Sequence, residues 1–80
     1  MLISGPIIVT GSAGYVAENL IPQLRENYRV IGVDLRPSPY TDVVSDVGGS
    51  RFIRLLSSLV REKVTVINLA AARFDFGANA

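Results

Sequence analysis

The chain has 80 residues, of which 49% are hydrophobic and 19% are charged. This composition excludes an intrinsically disordered protein, which would be poorer in branched apolar residues and richer in charge. No apolar run approaches the roughly 20 residues that a membrane-spanning helix needs. Eight basic residues against seven acidic ones leave a net charge too small for a nucleic-acid-binding surface. We therefore expect one small globular domain that binds neither a membrane nor nucleic acid.

The absence of cysteine and histidine removes whole classes of chemistry. The chain can form no disulfide bond, supplies no thiolate nucleophile, and offers no metal site built on these two residue types. Its first residues show neither a basic segment nor a cleavage signature, so we expect a cytoplasmic protein. A small domain without disulfides or metals must pack very well, associate, or belong to something larger.

The first predicted elements are a strand and a helix. Residues 6–10 form an apolar run without polar alternation, which is typical of a strand covered on both faces. A glycine-containing break at 11–14 follows, and apolar residues then recur at helical spacing from Tyr15 onward. The buried face of this predicted helix consists of Val16, Leu20 and Leu24, flanked by Ala17 and Ile21.

Three further strands and a second helix follow along the chain. The strands are predicted at 29–34, 42–45 and 64–70. Residues 48–50, GGS, supply a break and the predicted N-cap of the second helix. Its predicted apolar face consists of Phe52, Leu55, Leu56, Leu59 and Val60. The β-α-β-β-α-β order predicts an α/β domain around a mostly parallel four-stranded sheet, and right-handed crossovers give that sheet the order 3-2-1-4.

A glycine-containing turn joins the first strand to the first helix. Gly11 permits a backbone conformation that a side chain would forbid, and Gly14 lets a pyrophosphate approach the amides and positive dipole end of the helix. Ala17 is small enough for the helix to lie close to the first strand. Asp34 follows at about the 20-residue interval of such motifs and can accept both hydroxyls of an adenosine ribose. The spacing predicts a dinucleotide site, and a plain strand-to-helix turn is the alternative.

Residues 10–17, TGSAGYVA, fit the pattern TGxxGxxG, in which alanine sometimes takes the last position. On this motif and Asp34, the chain resembles the N-terminal portion of the extended short-chain dehydrogenase/reductase family, which contains NAD-dependent nucleotide-sugar epimerases and dehydratases. The resemblance implies a partial Rossmann fold and covers the first quarter to third of a family member. Residues 1–80 are accordingly interpreted as a truncated NAD-binding half-domain.

The resemblance also implies contacts for both ends of the cofactor. Asp46 would accept from the adenine amino group and the Val47 amide would donate to a ring nitrogen, although Asp46 could instead be a turn residue. Residues 67–71, INLAA, are similar to the HLAA stretch that ends the family's fourth strand, with Asn68 in place of histidine. Small residues there leave room for the ribose and nicotinamide, and tight packing is the other interpretation.

The predicted cofactor-binding residues lie in the turn, after the second and third strands, and at the end of the fourth strand: Gly11, Ser12, Ala13, Gly14, Tyr15, Val16, Asp34, Leu35, Arg36, Asp46, Val47, Leu69, Ala70 and Ala71. The carboxylate of Asp34 would repel a 2′-phosphate, which favours NAD over NADP. Arg36 could neutralise such a phosphate, so NADP is the weaker alternative. No metal site is predicted.

No catalytic residue is assigned. The family's catalysis uses a YxxxK pair, but the three tyrosines here are followed at the fourth position by Asn19, Gly32 and Val44. Lys63 is the only lysine. We therefore predict the NAD-binding portion of an epimerase- or dehydratase-like oxidoreductase that is inactive alone. The alternatives are a free-standing nucleotide-binding or sensor module completed by a partner chain, and a structural oligomer that has lost the site.

The predicted fourth strand has no neighbour on its outer side in a four-stranded sheet. An apolar, β-branched edge strand is a template for pairing with another chain. We therefore expect a homo-oligomer assembled through this edge or the adjoining helix faces. A charged substitution at Val66 or Ile67 is expected to dissociate or unfold it.

Overall fold

The computed structural model describes residues 4–69, which form a parallel sheet with two helices. The elements in chain order are β1 (Ile7–Thr10), α1 (Tyr15–Leu24), β2 (Val30–Asp34), β3 (Val43–Val44), α2 (Ser50–Ser58) and β4 (Thr65–Asn68). All strand pairs are parallel, and the sheet order is β3-β2-β1-β4. The predicted α/β class and strand order are confirmed. No helix within residues 4–69 is long and apolar enough to cross a membrane.

Strand β1 is the centre of the fold because it is covered on every side. It pairs with β2 on one edge and β4 on the other, and all four of its residues are buried. Its side chains alternate between two hydrophobic clusters. Ile7 and Val9 pack with Ala17 of α1, whereas Ile8 packs with Phe52 of α2. The two helices therefore cover opposite faces of the sheet, as the unbroken apolar run predicted.

The buried face of α1 differs from the predicted one. Ala17 and Ile21 are fully buried, and Leu24 packs against the same cluster. Val16, expected at the centre of the face, is 58% exposed. The helix is rotated so that the small Ala17, not Val16, lies against the sheet, which lets the helix axis approach β1 closely.

Helix α2 packs differently from the prediction. Its N-cap is Gly49, without a side-chain capping hydrogen bond, and it lies within the predicted break at 48–50. Phe52 and Leu59 are buried as predicted, but Val60 is 79% exposed. The helix ends at Ser58, so Val60 lies beyond it. The helical spacing on which the prediction depended does not apply there.

Strand β4 is an edge strand in the part of the sheet that the structure describes, where its one partner is β1. Its residues alternate between half-buried and exposed positions. Val66 is 50% exposed, whereas Ile67 packs against the cluster on the α1 face. Val66 and Ile67 therefore differ, although the sequence predicts the same effect of a charge at either position. A charged side chain at Val66 would stay at the surface, whereas one at Ile67 would lie against the hydrophobic cluster.

Candidate functional site

The turn after β1 has the backbone that its glycine predicted. Gly11 has a φ of +82°, which is the left-handed region that favours glycine. The amides of Gly11 and Ser12 both donate to the carbonyl of Val33, at 2.8 and 3.2 Å, and the amide of Gly14 donates to the carbonyl of Gly11 at 3.0 Å. Backbone hydrogen bonds thus connect the turn to β2. The amides of Gly11 and Ser12 already have acceptors within the protein.

Gly14 is the N-cap of α1, with ordinary extended dihedrals of −86° and 166°. A Cβ added there would meet one neighbour, the carbonyl oxygen of Gly11 at 3.3 Å, which would have to move by only a few tenths of an ångström. The backbone dihedrals of Gly14 are open to other residues, and a Cβ there would make one tight contact. Because it has no side chain, Gly14 leaves the start of α1 uncovered.

At the start of α1, three amide groups have no acceptor among the residues that the structure describes. The hydrogen-bond ladder of the helix begins with the Glu18 amide, which donates to the carbonyl of Gly14 at 3.0 Å. The preceding amides of Tyr15, Val16 and Ala17 find no acceptor among residues 4–69. Together with the positive end of the helix dipole, such amides form an anion-binding position.

Asp34 brings a carboxylate to this turn from the end of β2. The residue is 8% exposed. Its Oδ2 accepts from the Ala13 amide at 3.0 Å across 21 residues of sequence, and its Oδ1 accepts from the Arg36 amide at 2.9 Å. The sequence placed Asp34 near the glycine turn correctly, but it did not predict that the carboxylate would hold the turn directly.

The residues after Asp34 are predominantly exposed. Leu35 is 64% exposed. The Arg36 side chain is 56% exposed, and its Nε lies 3.8 Å from Oδ1 of Asp34. The guanidinium is therefore a solvent-accessible ion-pair partner of a nearly buried carboxylate.

Asp46 and Val47 lie in the turn between β3 and α2. The carbonyl of Asp46 accepts from the Gly49 amide at 2.9 Å, and Gly48 has a φ of +101°, as the third residue of a type II turn requires. Asp46 is thus a turn residue, as the alternative interpretation held. Its side chain is nevertheless exposed, and Val47 is 47% exposed, so both remain accessible to a ligand.

The carboxyl end of β4 lies beside that of β1. Thr10 and Asn68 are register partners, and the Thr10 hydroxyl donates to Oδ1 of Asn68 at 2.5 Å. The Leu69 amide donates to the carbonyl of Thr10 at 3.0 Å, and its side chain packs against the α1-face cluster. The predicted residues Ala70 and Ala71 lie outside the described part of the chain.

The side chain of Ser12 faces the interior of the protein. The residue is 0% exposed, and its Oγ lies 2.7 Å from Oγ1 of Thr41. Any contact of Ser12 with a ligand would therefore not use its hydroxyl. Sequence reasoning missed Thr41, because a lone threonine 29 residues away carries no motif that links it to the turn.

Asp42 has no predicted function, and its side chain connects two elements of the fold. Its Oδ2 accepts from the Gly32 amide at 2.7 Å and from Arg25 Nη2 at 2.9 Å. The carboxylate thus joins the end of α1 to β2. Within residues 4–69, no group of three or more acidic, cysteine or histidine residues could hold a metal ion.

In comparisons with known proteins, the chain matches no family model, no curated protein and no solved structure. The site itself therefore has to indicate the function. A glycine turn, a nearly buried carboxylate and three helix amides that lack an acceptor among residues 4–69 meet at the carboxyl end of β1 and β2. In open α/β sheets, this end is where ligands bind.

Proposed function

We propose that the chain binds a dinucleotide, NAD in preference to NADP, and is the N-terminal cofactor-binding portion of an epimerase- or dehydratase-like oxidoreductase with a Rossmann fold. The observation that carries the proposal is the hydrogen bond from the Ala13 amide to the Asp34 carboxylate. Ala13 lies two residues before Tyr15, the first helix residue whose amide has no acceptor among residues 4–69. An acceptor for ribose hydroxyls and donors for phosphate oxygens are thereby held side by side.

The pyrophosphate, the adenosine ribose and the adenine of the cofactor each have a matching group on the chain. The pyrophosphate would accept from the amides of Tyr15 and Val16, reached over Gly14, which has no side chain in the way. The adenosine ribose would donate to Asp34, and the adenine would lie toward Asp46. The carboxyl ends of neighbouring parallel strands supply all these groups, which supports a single extended ligand over separate small ones.

Preference for NAD depends on the charge at Asp34. Its side chain is 6% exposed, and a 2′-phosphate placed against so buried a carboxylate would be repelled. Arg36 supplies an opposing charge, but its side-chain Nε already lies 3.8 Å from the same carboxylate. We therefore propose that Arg36 lies along the adenosine and does not serve as a phosphate receptor.

The chain contributes cofactor binding and no bond-making step. Its sequence holds no YxxxK pair, so hydride transfer would need residues supplied by further sequence or by a partner chain. The residues named above bind and orient the cofactor.

Replacing Gly14 with alanine is expected to weaken NAD binding by at least about tenfold while leaving the fold intact. The added methyl fits the protein with a shift of a few tenths of an ångström, but it occupies the approach to the α1 amides. Calorimetric titration with NAD measures the affinity. Urea unfolding should show a stability within about 1 kcal/mol of the original chain.

Adenosine is the control ligand for this variant. It lacks the pyrophosphate, so its affinity for the original chain and for Gly14→Ala should be equal. Equal affinity of the two chains for NAD would contradict the placement of the pyrophosphate. No NAD binding by the folded original chain would contradict the proposed function as a whole.

We further propose that two or more copies associate through β4. The strand lacks an outer partner in the described sheet, and Val66 exposes half of its surface there. Unpaired strand edges with apolar side chains favour pairing between chains. Val66→Lys is expected to convert the oligomer to a monomer in sedimentation velocity at tens of micromolar, because a charge on that edge opposes close pairing.

Val60→Lys is the matched control, since Val60 is 79% exposed and lies outside β4. It should leave the oligomer unchanged. Ile67 is unsuitable for this purpose because it packs in the core. A monomeric original chain at the same concentration would show that the edge is not an interface.

A further inference from the structure

Three hydroxyl groups form a chain beside the glycine turn. The Ser12 hydroxyl lies 2.7 Å from that of Thr41, and the Thr41 hydroxyl lies 2.7 Å from that of Ser38. Ser38 Oγ also accepts from the Tyr40 amide at 3.3 Å. Since Ser12 is fully buried, leaving its hydroxyl without a partner would be costly.

This hydroxyl chain joins two segments that the proposed cofactor site needs together. Ser12 belongs to the turn at the start of α1. Thr41 ends the loop at 35–41, which leaves β2 directly after Asp34 and carries Arg36. The end of the loop is itself fixed to the sheet, because the Asp42 amide donates to the carbonyl of Gly32 at 2.8 Å. Thr41 therefore connects the turn to an anchored part of the fold.

Asp34 forms a second connection between the turn and the loop. Its carboxylate accepts from the Ala13 amide in the turn and from the Arg36 amide in the loop. That second connection is the one a ligand would touch. Ribose hydroxyls that donate to Asp34 would share its carboxylate oxygens with these amides. The Ser12 side chain is fully buried, so the ligand would not share the Ser12–Thr41 connection.

We propose that Thr41 is a positioning residue of the dinucleotide site, which holds the turn in its binding geometry while Asp34 engages the ribose. The inference rests on the proposed function, because it concerns the same site. A turn that is already in place loses less entropy on binding than one that the ligand must order. The hydroxyl of Thr41, and not its methyl group, provides this effect.

The test compares three variants by NAD titration and urea unfolding. Thr41→Val keeps the shape of the side chain and should weaken NAD binding about fivefold to tenfold. It also leaves the buried Ser12 hydroxyl without Thr41 as its partner, so its urea midpoint should fall. Thr41→Ser keeps a hydroxyl and should restore the affinity to within about twofold of the original.

The double variant Ser12→Ala/Thr41→Val separates positioning from stability. It removes both hydroxyls of the pair, so its urea midpoint should recover toward the original value, because no buried group of that pair is left unsatisfied. Its NAD affinity should stay about fivefold or more below the original. Should Thr41→Val alone fail to fold, this variant carries the test.

Ser58→Ala is the control, since that hydroxyl donates to the Leu55 carbonyl on α2, on the opposite face of the sheet. It should bind NAD normally. If the original chain binds NAD and the double variant binds equally well, the positioning role is overturned while the proposed function stands. Equal weakening in Thr41→Ser and Thr41→Val would also overturn it. A flat titration of the folded original chain would overturn both.

Discussion

Replacing Gly32 with alanine is expected to lower the free energy of unfolding by about 3 kcal/mol. Gly32 lies in β2, paired with Val9. A Cβ there would collide with the carbonyl oxygen of Tyr40 and come within 2.8 Å of the Ser12 Cβ. Neither neighbour can yield easily, because one is backbone and the other is fully buried. To make room for the methyl group, the loop at 35–41 would have to move away from the turn at 11–14. The hydrogen bond between Ser12 and Thr41 would then break.

Urea unfolding followed by circular dichroism measures this effect. A domain of this length has a total stability of only about 4–12 kcal/mol, so a large part of the population of the Gly32→Ala variant unfolds at low urea. Gly14→Ala is the matched control, since it makes the same chemical change where a Cβ fits. Equal midpoints for the two variants would contradict the close packing of the loop over β2.

Replacing Asp34 with asparagine is expected to affect both stability and binding. The carboxylate accepts from two backbone amides, one through each oxygen. An asparagine side chain has one acceptor oxygen and presents an NH₂ group to the other amide. At a residue that is 8% exposed, losing one such charge-assisted hydrogen bond should cost about 2–3 kcal/mol. NAD affinity should fall by at least about tenfold, because the ribose also loses an acceptor.

Asp46→Asn is the control for this variant. Asp46 is exposed, and its turn is closed by its carbonyl oxygen, which the substitution retains. Its stability should therefore remain within about 0.5 kcal/mol of the original. Asp34→Asn with unchanged stability would show that the carboxylate does not hold the turn as the structure indicates.

The fold was predictable because β1 leaves few arrangements open. An unbroken apolar strand needs a helix on each face and a strand on each edge. With right-handed crossovers, this requirement alone puts β2 on one side and β4 on the other. The rotation of α1 was not predictable from apolar spacing, since Val16 and Ala17 lie on adjacent positions. Close approach of the helix to β1 selects the smaller side chain, and that selection is a tertiary effect.

The site was predictable where a local motif fixes the backbone. Gly11 must have a conformation that other residues avoid, and the order of the elements brings Asp34 to the turn. The Ser12–Thr41 contact and the use of the Ala13 amide by Asp34 were not predictable. Both join segments that are far apart in sequence, and serine and threonine hydroxyls carry no spacing rule that would pair them.

Amide chemical shifts of the ¹⁵N-labelled chain, measured during addition of NAD, show whether the glycine turn and Asp34 bind the cofactor. We expect saturable shifts at 13–17 and 34–36, which surround the glycine turn and Asp34, with little change along α2 (Ser50–Ser58). Absence of saturable shifts in the folded chain, or shifts concentrated on α2, would contradict it.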